Sequence, residues 1–576
     1  MKDIKLLREI AYQGCKGRVL LKQLSWLCYA LANFGNIIVI QILYDAITKG
    51  ERNKTNIIYG IIAFGGMLLF ANLFMTITNI LNEKLSFLFM ENLENQLQHK
   101  MQQYSSVSYE ENSFLDEIHQ AHQGVGNACF LLNLLSMLIW YYIPYLCMVG
   151  AYFLWSSPVL ILLLLFFVLP IGWGQLVKYK ENEKTAETIA KCERKKDEYV
   201  SYFSKLNYVK ENRIFGSKDF FLGLFRKNME EKKSVKADKA KQLMHYSFQM
   251  DVISTVCYVA GIAGMVILTY EGKMGIPAFG AILTSIASVS AVLKSLLGSH
   301  LGRIVSQAGN IKFLLQYLRK GNGGEEREFG DESIQSIELN HVKFAYPNVS
   351  KKTDTEYNCR FEKREIVVIV GENGAGKSTF IKLLTGMYPP CEGTVTYNEK
   401  NIAEFSRKSI LKKCTVLFQE FQKYYLSVKE NVALSEGEEN KVQGLLQKAD
   451  VWDKVCVLPE KMNTVLGKEF GGEDLSGGYW QRLAFARCMY KEADIICMDE
   501  PTSAIDPLEE TKLYKTFYEM SQGKFAFIVS HRLGLCKIAD RILVMKNGKI
   551  VEDGSHEELM NACGLYKELY EKQANY

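Results

Sequence analysis

The sequence predicts a chain of two parts: an all-α membrane domain with six spans, then an α/β phosphate-loop domain. Three observations carry this reading. Uncharged runs of membrane length recur through the first half, separated alternately by short and long loops. The stretch Gly371-Glu372-Asn373-Gly374-Ala375-Gly376-Lys377-Ser378-Thr379 fits G-x-x-x-x-G-K-[ST]. Between the halves, Gly321-Asn322-Gly323-Gly324 and the charged residues after it read as a linker. With 576 residues there is chain enough for such a division. The expected boundaries are 1–320 for the membrane domain, 321–333 for the linker and 334–576 for the phosphate-loop domain.

Residues 1–23 form a basic amphipathic lead-in, and the first uncharged run follows from Leu24 to Tyr44. A short charged loop leads into a second run, near Ile57 to Leu81. A long polar helical stretch then extends from Asn82 to about Gln123. The third and fourth runs, near Phe130–Phe153 and Val159–Leu176, are joined by the uncharged turn Trp155-Ser156-Ser157-Pro158. A heavily basic segment from Lys178 to about Lys241 precedes the last pair, Phe248–Tyr270 and Ile276–Leu297. Any one run, the fourth above all, also suits a buried core helix. Six in this rhythm point to a membrane. Lysine and arginine crowd the N-terminus and the two long loops, which places those loops and the C-terminal half in the cytoplasm.

Polar residues inside the runs are candidates for a substrate path or for helix–helix hydrogen bonds: Asn33 and Asn36 in the first, Asn72 in the second, Asp251 in the fifth. Tyr141, Tyr142 and Trp155 read as interface anchors. The net charge of +5 does not argue for nucleic acid. Fourteen cysteines show no C-x-x-C pair and no Cys/His ligand spacing. Cys28, Cys129, Cys147 and Cys257 lie in apolar runs and read as small buried hydrophobes in a reducing compartment. The first apolar run is not preceded by a signal-peptide pattern.

In the second half, Ile366–Val370 reads as a buried strand and Phe380–Leu384 as the start of a helix, so the glycine-rich stretch sits where a phosphate loop must. Glycines at Gly371, Gly374 and Gly376 let consecutive N–H groups turn inward toward phosphate oxygens at a helix N-terminus. Lys377 is expected to reach the β- and γ-phosphates, with Asn373 and Thr379 in the same cradle, and the Ser378 hydroxyl to take a Mg²⁺ position. This segment binds a nucleoside triphosphate.

Further motifs then follow in order. Tyr346 ends a strand-like stretch from Ile334 to Phe344. Gln419 closes Val416-Leu417-Phe418-Gln419, and Leu475-Ser476-Gly477-Gly478-Tyr479 comes next. After it come Ile495-Ile496-Cys497-Met498-Asp499-Glu500, Ser503-Ala504-Ile505-Asp506 and Ile528-Val529-Ser530-His531-Arg532. Each is ordinary taken singly. In this order the whole chain resembles an ABC transporter of the exporter type, a half-transporter with fused membrane and ATPase domains. The resemblance implies a phosphate-loop domain with an inserted helical signature subdomain.

It also implies roles. Tyr346 would stack on adenine, a flat ring on a flat base. Gln419 would sense Mg²⁺ and the attacking water. Ser476, Gly477 and Gly478 would meet the γ-phosphate held by the opposite subunit. Tyr479 departs from the usual glutamine, which implies tuning. Asp499, at a strand end, would support Mg²⁺, and Glu500 beside it would polarise water. Asp506 lies in the coupling loop, and His531 would contact the γ-phosphate. Tyr109–Glu117 and Asn207–Phe215 match the short coupling helices.

ATP and Mg²⁺ are the implied cofactors. The implied partner is a second half-transporter, identical or not, in a lipid membrane. Phe418–Phe421, Glu430-Asn431 and Gly477–Arg482 look like dedicated peptide exporters, so a peptide is the favoured cargo, ahead of an amphipathic drug or lipid. A protease domain before the first run is not expected, so the chain itself should not cleave a leader.

Overall fold

The computed structural model describes residues 2–48, 54–156, 158, 188–189, 191–296, 300, 302–319, 327–347, 355–362, 364–500, 507–530 and 533–574. The expected fourth span, Asp506 and His531 lie outside these residues. The chain divides into two compact units. The first comprises Met1–Gln102 and Asp116–Lys320, the second Gln103–Leu115 and Gly321–Tyr576.

Among the described residues, the first unit has five helices long and apolar enough to cross a membrane: Lys16–Thr48, Thr55–Met101, Asn112–Ser156, Lys218–Tyr270 and Ile276–Leu293. Several outrun the expected spans. The helix Lys54–Met101 has 48 residues, about 72 Å of rise, against a hydrocarbon core of about 30 Å. From Asn82 to Met101 there is no glycine or proline to stop it. The polar stretch after the second run is therefore the same helix carried beyond the apolar zone. The first two long helices lie side by side. A Cβ at Gly35 would lie 2.0 Å from Met67 Cε, so the end of that methionine packs directly on the glycine. Ala71, Thr78 and Leu85, seven apart, are buried along one seam of the second helix.

Tyr141 and Tyr142 are not interface anchors. They sit in a π-helical turn, Leu138–Tyr142, and both are buried. The wider turn rotates their rings inward, where Tyr141 stacks on Tyr29 at 5.0 Å and on Tyr145 at 5.9 Å. Trp155 is 79% exposed. Of the four cysteines read as buried, Cys129 and Cys257 are, Cys28 is half-buried, and Cys147 faces outward from its helix. Asn33 donates to the Tyr29 carbonyl at 3.0 Å, while Asn36 Oδ1 is buried without a partner. Asn72 and Asp251 are exposed.

The second unit holds two sheets. A four-stranded antiparallel sheet runs in the order β2-β1-β4-β5, from β1 (Ile337–Lys343), β2 (Tyr357–Phe361), β4 (Glu392–Tyr397) and β5 (Lys400–Asn401). The strand expected over Ile334–Phe344 is shorter, and its register slips beyond Asn340, where His341 takes φ 45. A six-stranded sheet takes β3 (Ile366–Gly371), β6 (Cys414–Leu417), β7 (Ile495–Asp499), β8 (Phe525–Val529), β9 (Arg541–Lys546) and β10 (Lys549–Gly554), in the order β10-β9-β3-β8-β7-β6. Its strands are parallel except for the β9–β10 hairpin.

Alternation splits this sheet between two cores. Val368, Val370, Ile496, Met498 and Ile528 face one, with Trp480 and Phe485. Val367, Ile369, Cys497, Phe527 and Leu543 face the other, against the small sheet. Residues buried on both faces explain why these strands read as continuous apolar runs.

Gln103–Leu115 belongs to this second unit although it comes from the first half of the sequence. Its short 3-10 turn, Ser106–Glu110, is capped by Ser105. Val107 lies against the second core, and the Tyr388 hydroxyl donates to the Glu110 carboxylate. Lys382 lies 3.7 Å from the same carboxylate.

Candidate functional site: a phosphate loop at the strand edge

Parallel strands end together, and ligands in such sheets bind beyond their carboxyl ends. Here β3, β7 and β6 end at Gly371, Asp499 and Leu417, so the phosphate loop, the Asp499-Glu500 pair and Gln419 emerge from one edge. The loop is shaped by backbone that other residues resist. Gly371, Gly374 and Gly376 have φ 153, 80 and 97. A Cβ on Gly371 would lie 2.3 Å from the Met545 carbonyl oxygen, and one on Gly376 would lie 2.5 Å from the Tyr357 hydroxyl. Gly376 is the N-cap of the helix Lys377–Leu384, whose first N–H groups are thereby turned toward the loop.

Lys377 is 5% exposed, and its ammonium donates to the Gly371 and Glu372 carbonyls, both at 3.0 Å. Burial pulls its pKa below the ordinary lysine value, and the negative charges of Glu500 and Asp499 oppose that pull. Asp499 is 5% exposed at the end of β7. Burial raises its pKa above the usual carboxylate range, the Ser378 hydroxyl lowers it, and Glu500 adds to the rise. Asp499 Oδ1 is buried with no hydrogen-bond partner.

Glu500 takes the left-handed conformation, φ 46, uncommon for a residue with a side chain. Its N–H donates to the Val529 carbonyl of β8 at 3.0 Å, which pins it between two strand ends. Its carboxylate accepts from Gln419 Nε2 at 2.8 Å. Gln419 and Glu500 stand 81 residues apart in sequence, and the pairing of β6 with β7 brings them together.

Tyr346 is half-buried, its hydroxyl 3.0 Å from Thr379 Oγ1, its ring edge-on to Phe344 at 5.1 Å and to Tyr388 at 6.1 Å. The signature serine, Ser476, is the N-cap of the helix Gly477–Tyr490, yet its hydroxyl makes no cap bond. Ser476 and Gly477 are exposed and Gly478 is half-buried. The Arg482 guanidinium lies 5.3 Å from the Tyr479 ring centre.

Two features of the site were not foreseen. The Tyr357 hydroxyl donates to the Gly376 carbonyl at 3.1 Å, holding the loop from β2. Trp480 Nε1 donates to Asp474 Oδ1 at 3.1 Å, and Asp474 Oδ1 also accepts the Leu475 N–H at 2.9 Å, which fixes the approach to the signature turn. Neither partner is deducible from sequence, because both bonds depend on where a neighbouring element folds.

The donor set fits a hard divalent cation. Asp499 offers an unpartnered buried oxygen beside the Ser378 hydroxyl. Among the described residues there is no cluster of three or more His, Cys, Asp or Glu side chains able to hold a metal alone. That combination suits Mg²⁺, which takes one or two protein oxygens and completes its shell with phosphate and water.

A helical membrane region joined to a sheet-edge phosphate loop defines a membrane-fused phosphate-loop ATPase. Residues 355–503 match the family model described as ABC transporter. Over most of its length the chain is similar to ABC transporters of the exporter type, and it is a multi-pass membrane protein whose ATPase domain binds ATP and couples its hydrolysis to transport.

Its curated relatives include the subtilin transport ATP-binding protein SpaT of Bacillus subtilis, 29% identical over 94% of this chain and 89% of that protein. The nisin transport ATP-binding protein NisT of Lactococcus lactis is 28% identical over 72% of this chain and 70% of its own length. An ATP-dependent lipid A-core flippase of Burkholderia pseudomallei is 31% identical over 58% of each chain. Among solved structures, a bacterial Atm1-family ABC exporter with ATP bound superposes with a TM-score of 0.81, covering 97% of this chain and 99% of that one at 20% identity. That likeness is one of fold.

Proposed function

We propose that this half-transporter works as a dimer that exports a peptide. The relatives that match over most of the chain are named for subtilin and nisin transport, and this supports a peptide cargo. In this reading residues 1–320 form a six-span membrane domain, 321–333 a linker and 334–576 the ATPase domain with its helical signature subdomain. The carrying observation is the meeting of Lys377, Asp499, Glu500 and Gln419 at one strand edge, with Glu500 and Gln419 at 2.8 Å.

The residues act as follows. Tyr346 stacks on the adenine, and the loop from Gly371 to Thr379, Asn373 included, wraps the phosphates with its N–H groups. Lys377 exchanges its two carbonyl acceptors for phosphate oxygens, which restores the charge partner that burial denies it. Ser378, Asp499 and Gln419 would hold Mg²⁺, which would neutralise charge on the phosphate oxygens. Glu500 orients and polarises the attacking water, and Gln419 fixes that carboxylate while His531 contacts the γ-phosphate. Ser476, Gly477 and Gly478 stand at a helix N-terminus, open as a surface that closes on a partner's nucleotide must be. Asp506 couples the two sites. Closure draws the cytoplasmic segments around Tyr109–Glu117 and Asn207–Phe215 together and opens the cargo path outward; hydrolysis resets it.

The test is ATPase activity of the purified chain in nanodiscs, titrated with a cationic modified peptide and with a lipid A-type amphipath. Stimulation by the peptide is the expected result. Stimulation by the amphipath alone moves the cargo to lipid, the reading that the flippase similarity favours.

A further inference from the structure

The second long helix carries a feature that its apolar composition hides. At about 100° per residue, Gly65, Asn72, Thr76, Asn79 and Glu83 fall within one sector about 60° wide, and no other residue between 65 and 83 does. The sector runs about 27 Å along the helix, nearly the whole hydrocarbon thickness of about 30 Å. It lies roughly a third of a turn from the buried seam of Ala71, Thr78 and Leu85. Asn72, Thr76, Asn79 and Glu83 are exposed, and the space beside Gly65 is open. The adjacent sector is different: Leu69, Leu73, Ile80 and Phe87 are exposed and apolar, at 73%, 55%, 51% and 71%.

The polar and apolar sectors cannot share one surrounding. Leu69, Leu73, Ile80 and Phe87 suit lipid tails. A file of two carboxamides, a hydroxyl and a carboxylate does not, because hydrocarbon leaves their donors and acceptors unmet. Thr76 answers its own need by donating to the Asn72 carbonyl at 2.8 Å. The carboxamides of Asn72 and Asn79 each offer both a donor and an acceptor, the pair of groups that a peptide backbone needs. Close helix–helix contact in a membrane favours small side chains at the seam. Gly65 and Thr76 are of that kind, but Asn72, Asn79 and Glu83 are longer and Glu83 is acidic, which argues for a wet surface over one packed closely against a second copy.

We infer that this sector of the helix Lys54–Met101 lines the cargo path, and that it contacts an extended peptide carrying positive charge. Asn72 and Asn79 hydrogen-bond the peptide backbone, and Glu83, at the end of the apolar zone, draws the cationic groups in. Asp251, exposed within the helix Lys218–Tyr270, adds a second acidic group to a membrane region otherwise poor in acids. This inference deepens the export reading and rests on it.

The experiment places single cysteines at Asn72, Thr76, Asn79, Leu73 and Ile80 in the full-length chain, with the exposed Cys147, Cys391, Cys456 and Cys563 replaced by serine. A charged, membrane-impermeant thiol reagent is applied to nanodiscs, where both faces are open. The expected result is labelling of Asn72→Cys, Thr76→Cys and Asn79→Cys at least about tenfold faster than Leu73→Cys and Ile80→Cys, because lipid excludes a charged reagent. A cationic modified peptide should slow the fast set and leave the slow set unchanged. Equal, slow labelling at all five overturns the inference, and so does an oxidant-induced cross-link joining two copies at Asn72 or Asn79. In a second measurement, Glu83→Gln should raise the peptide concentration for half-maximal ATPase stimulation severalfold; an unchanged value overturns the role of charge. Labelling does not depend on turnover, so a silent ATPase with a fast-labelled stripe would fault the export reading and leave the wet face standing.

Discussion

Gln419 donates its side-chain amide to the carboxylate of Glu500 at 2.8 Å, across the ends of two neighbouring parallel strands. The bond fixes an acidic group that stands half-buried beside the phosphate loop. Glu500→Gln keeps size and shape and removes the charge that polarises water. Turnover should fall by a factor of about 10² or more, while ATP binding measured by equilibrium titration stays within a few-fold. Near wild-type turnover would remove Glu500 from that role. Gln419→Ala removes one hydrogen bond from the carboxylate without deleting it, and a smaller loss in kcat is expected.

Asp499 supplies a pH prediction. Its pKa is raised, chiefly by burial. A carboxyl with a raised pKa holds its proton to higher pH, and Mg²⁺ must displace that proton. Apparent Mg²⁺ affinity of the ATP-bound protein should therefore weaken as pH falls, beginning above the range where an ordinary aspartate protonates. Asp499→Asn should abolish this dependence along with most of the Mg²⁺ affinity. A Mg²⁺ titration at several pH values checks both.

How much of this was legible beforehand differs by level. The continuous apolar runs of β3, β7 and β8 and the glycine-lysine-serine spacing revealed the sheet edge, because burial on both faces and a phosphate cradle each leave a local pattern. Tyr141 and Tyr142 misled. Their amphipathic chemistry suits an interface, but a π-helical turn rotates them inward, and a single inserted residue leaves no mark in hydropathy. The resemblance marks Tyr109–Glu117 as a coupling helix, and the segment Gln103–Leu115, which overlaps it, belongs with the second unit through Val107 and Glu110. That association depends on tertiary placement, which periodicity does not encode.

Tyr346 separates stacking from hydrogen bonding. Its hydroxyl sits 3.0 Å from Thr379 Oγ1 and its ring borders the loop. Tyr346→Phe should leave the ATP concentration for half-maximal activity within about twofold, whereas Tyr346→Ala should raise it about tenfold, the size expected of a lost aromatic contact. Equal effects would assign the role to the hydroxyl.

Gly376 tests the loop's shape. At φ 97, with the Tyr357 hydroxyl 2.5 Å from where a Cβ would stand, Gly376→Ala is both strained and crowded. A loss of about 1–3 kcal/mol in stability is expected, read as a lower melting temperature, together with weakened ATP binding. The double variant Gly376→Ala, Tyr357→Phe should recover part of the stability, because it removes the crowding atom and leaves the strain.

The central claim is that hydrolysis at this site drives a peptide across the membrane. The direct measurement is ATP-dependent uptake of a labelled cationic modified peptide into inside-out vesicles carrying this chain alone, beside vesicles carrying Glu500→Gln. Accumulation with the unaltered chain and none with the variant is the predicted result. Equal uptake by both, or none by an unaltered chain that hydrolyses ATP in the presence of the peptide, would contradict it.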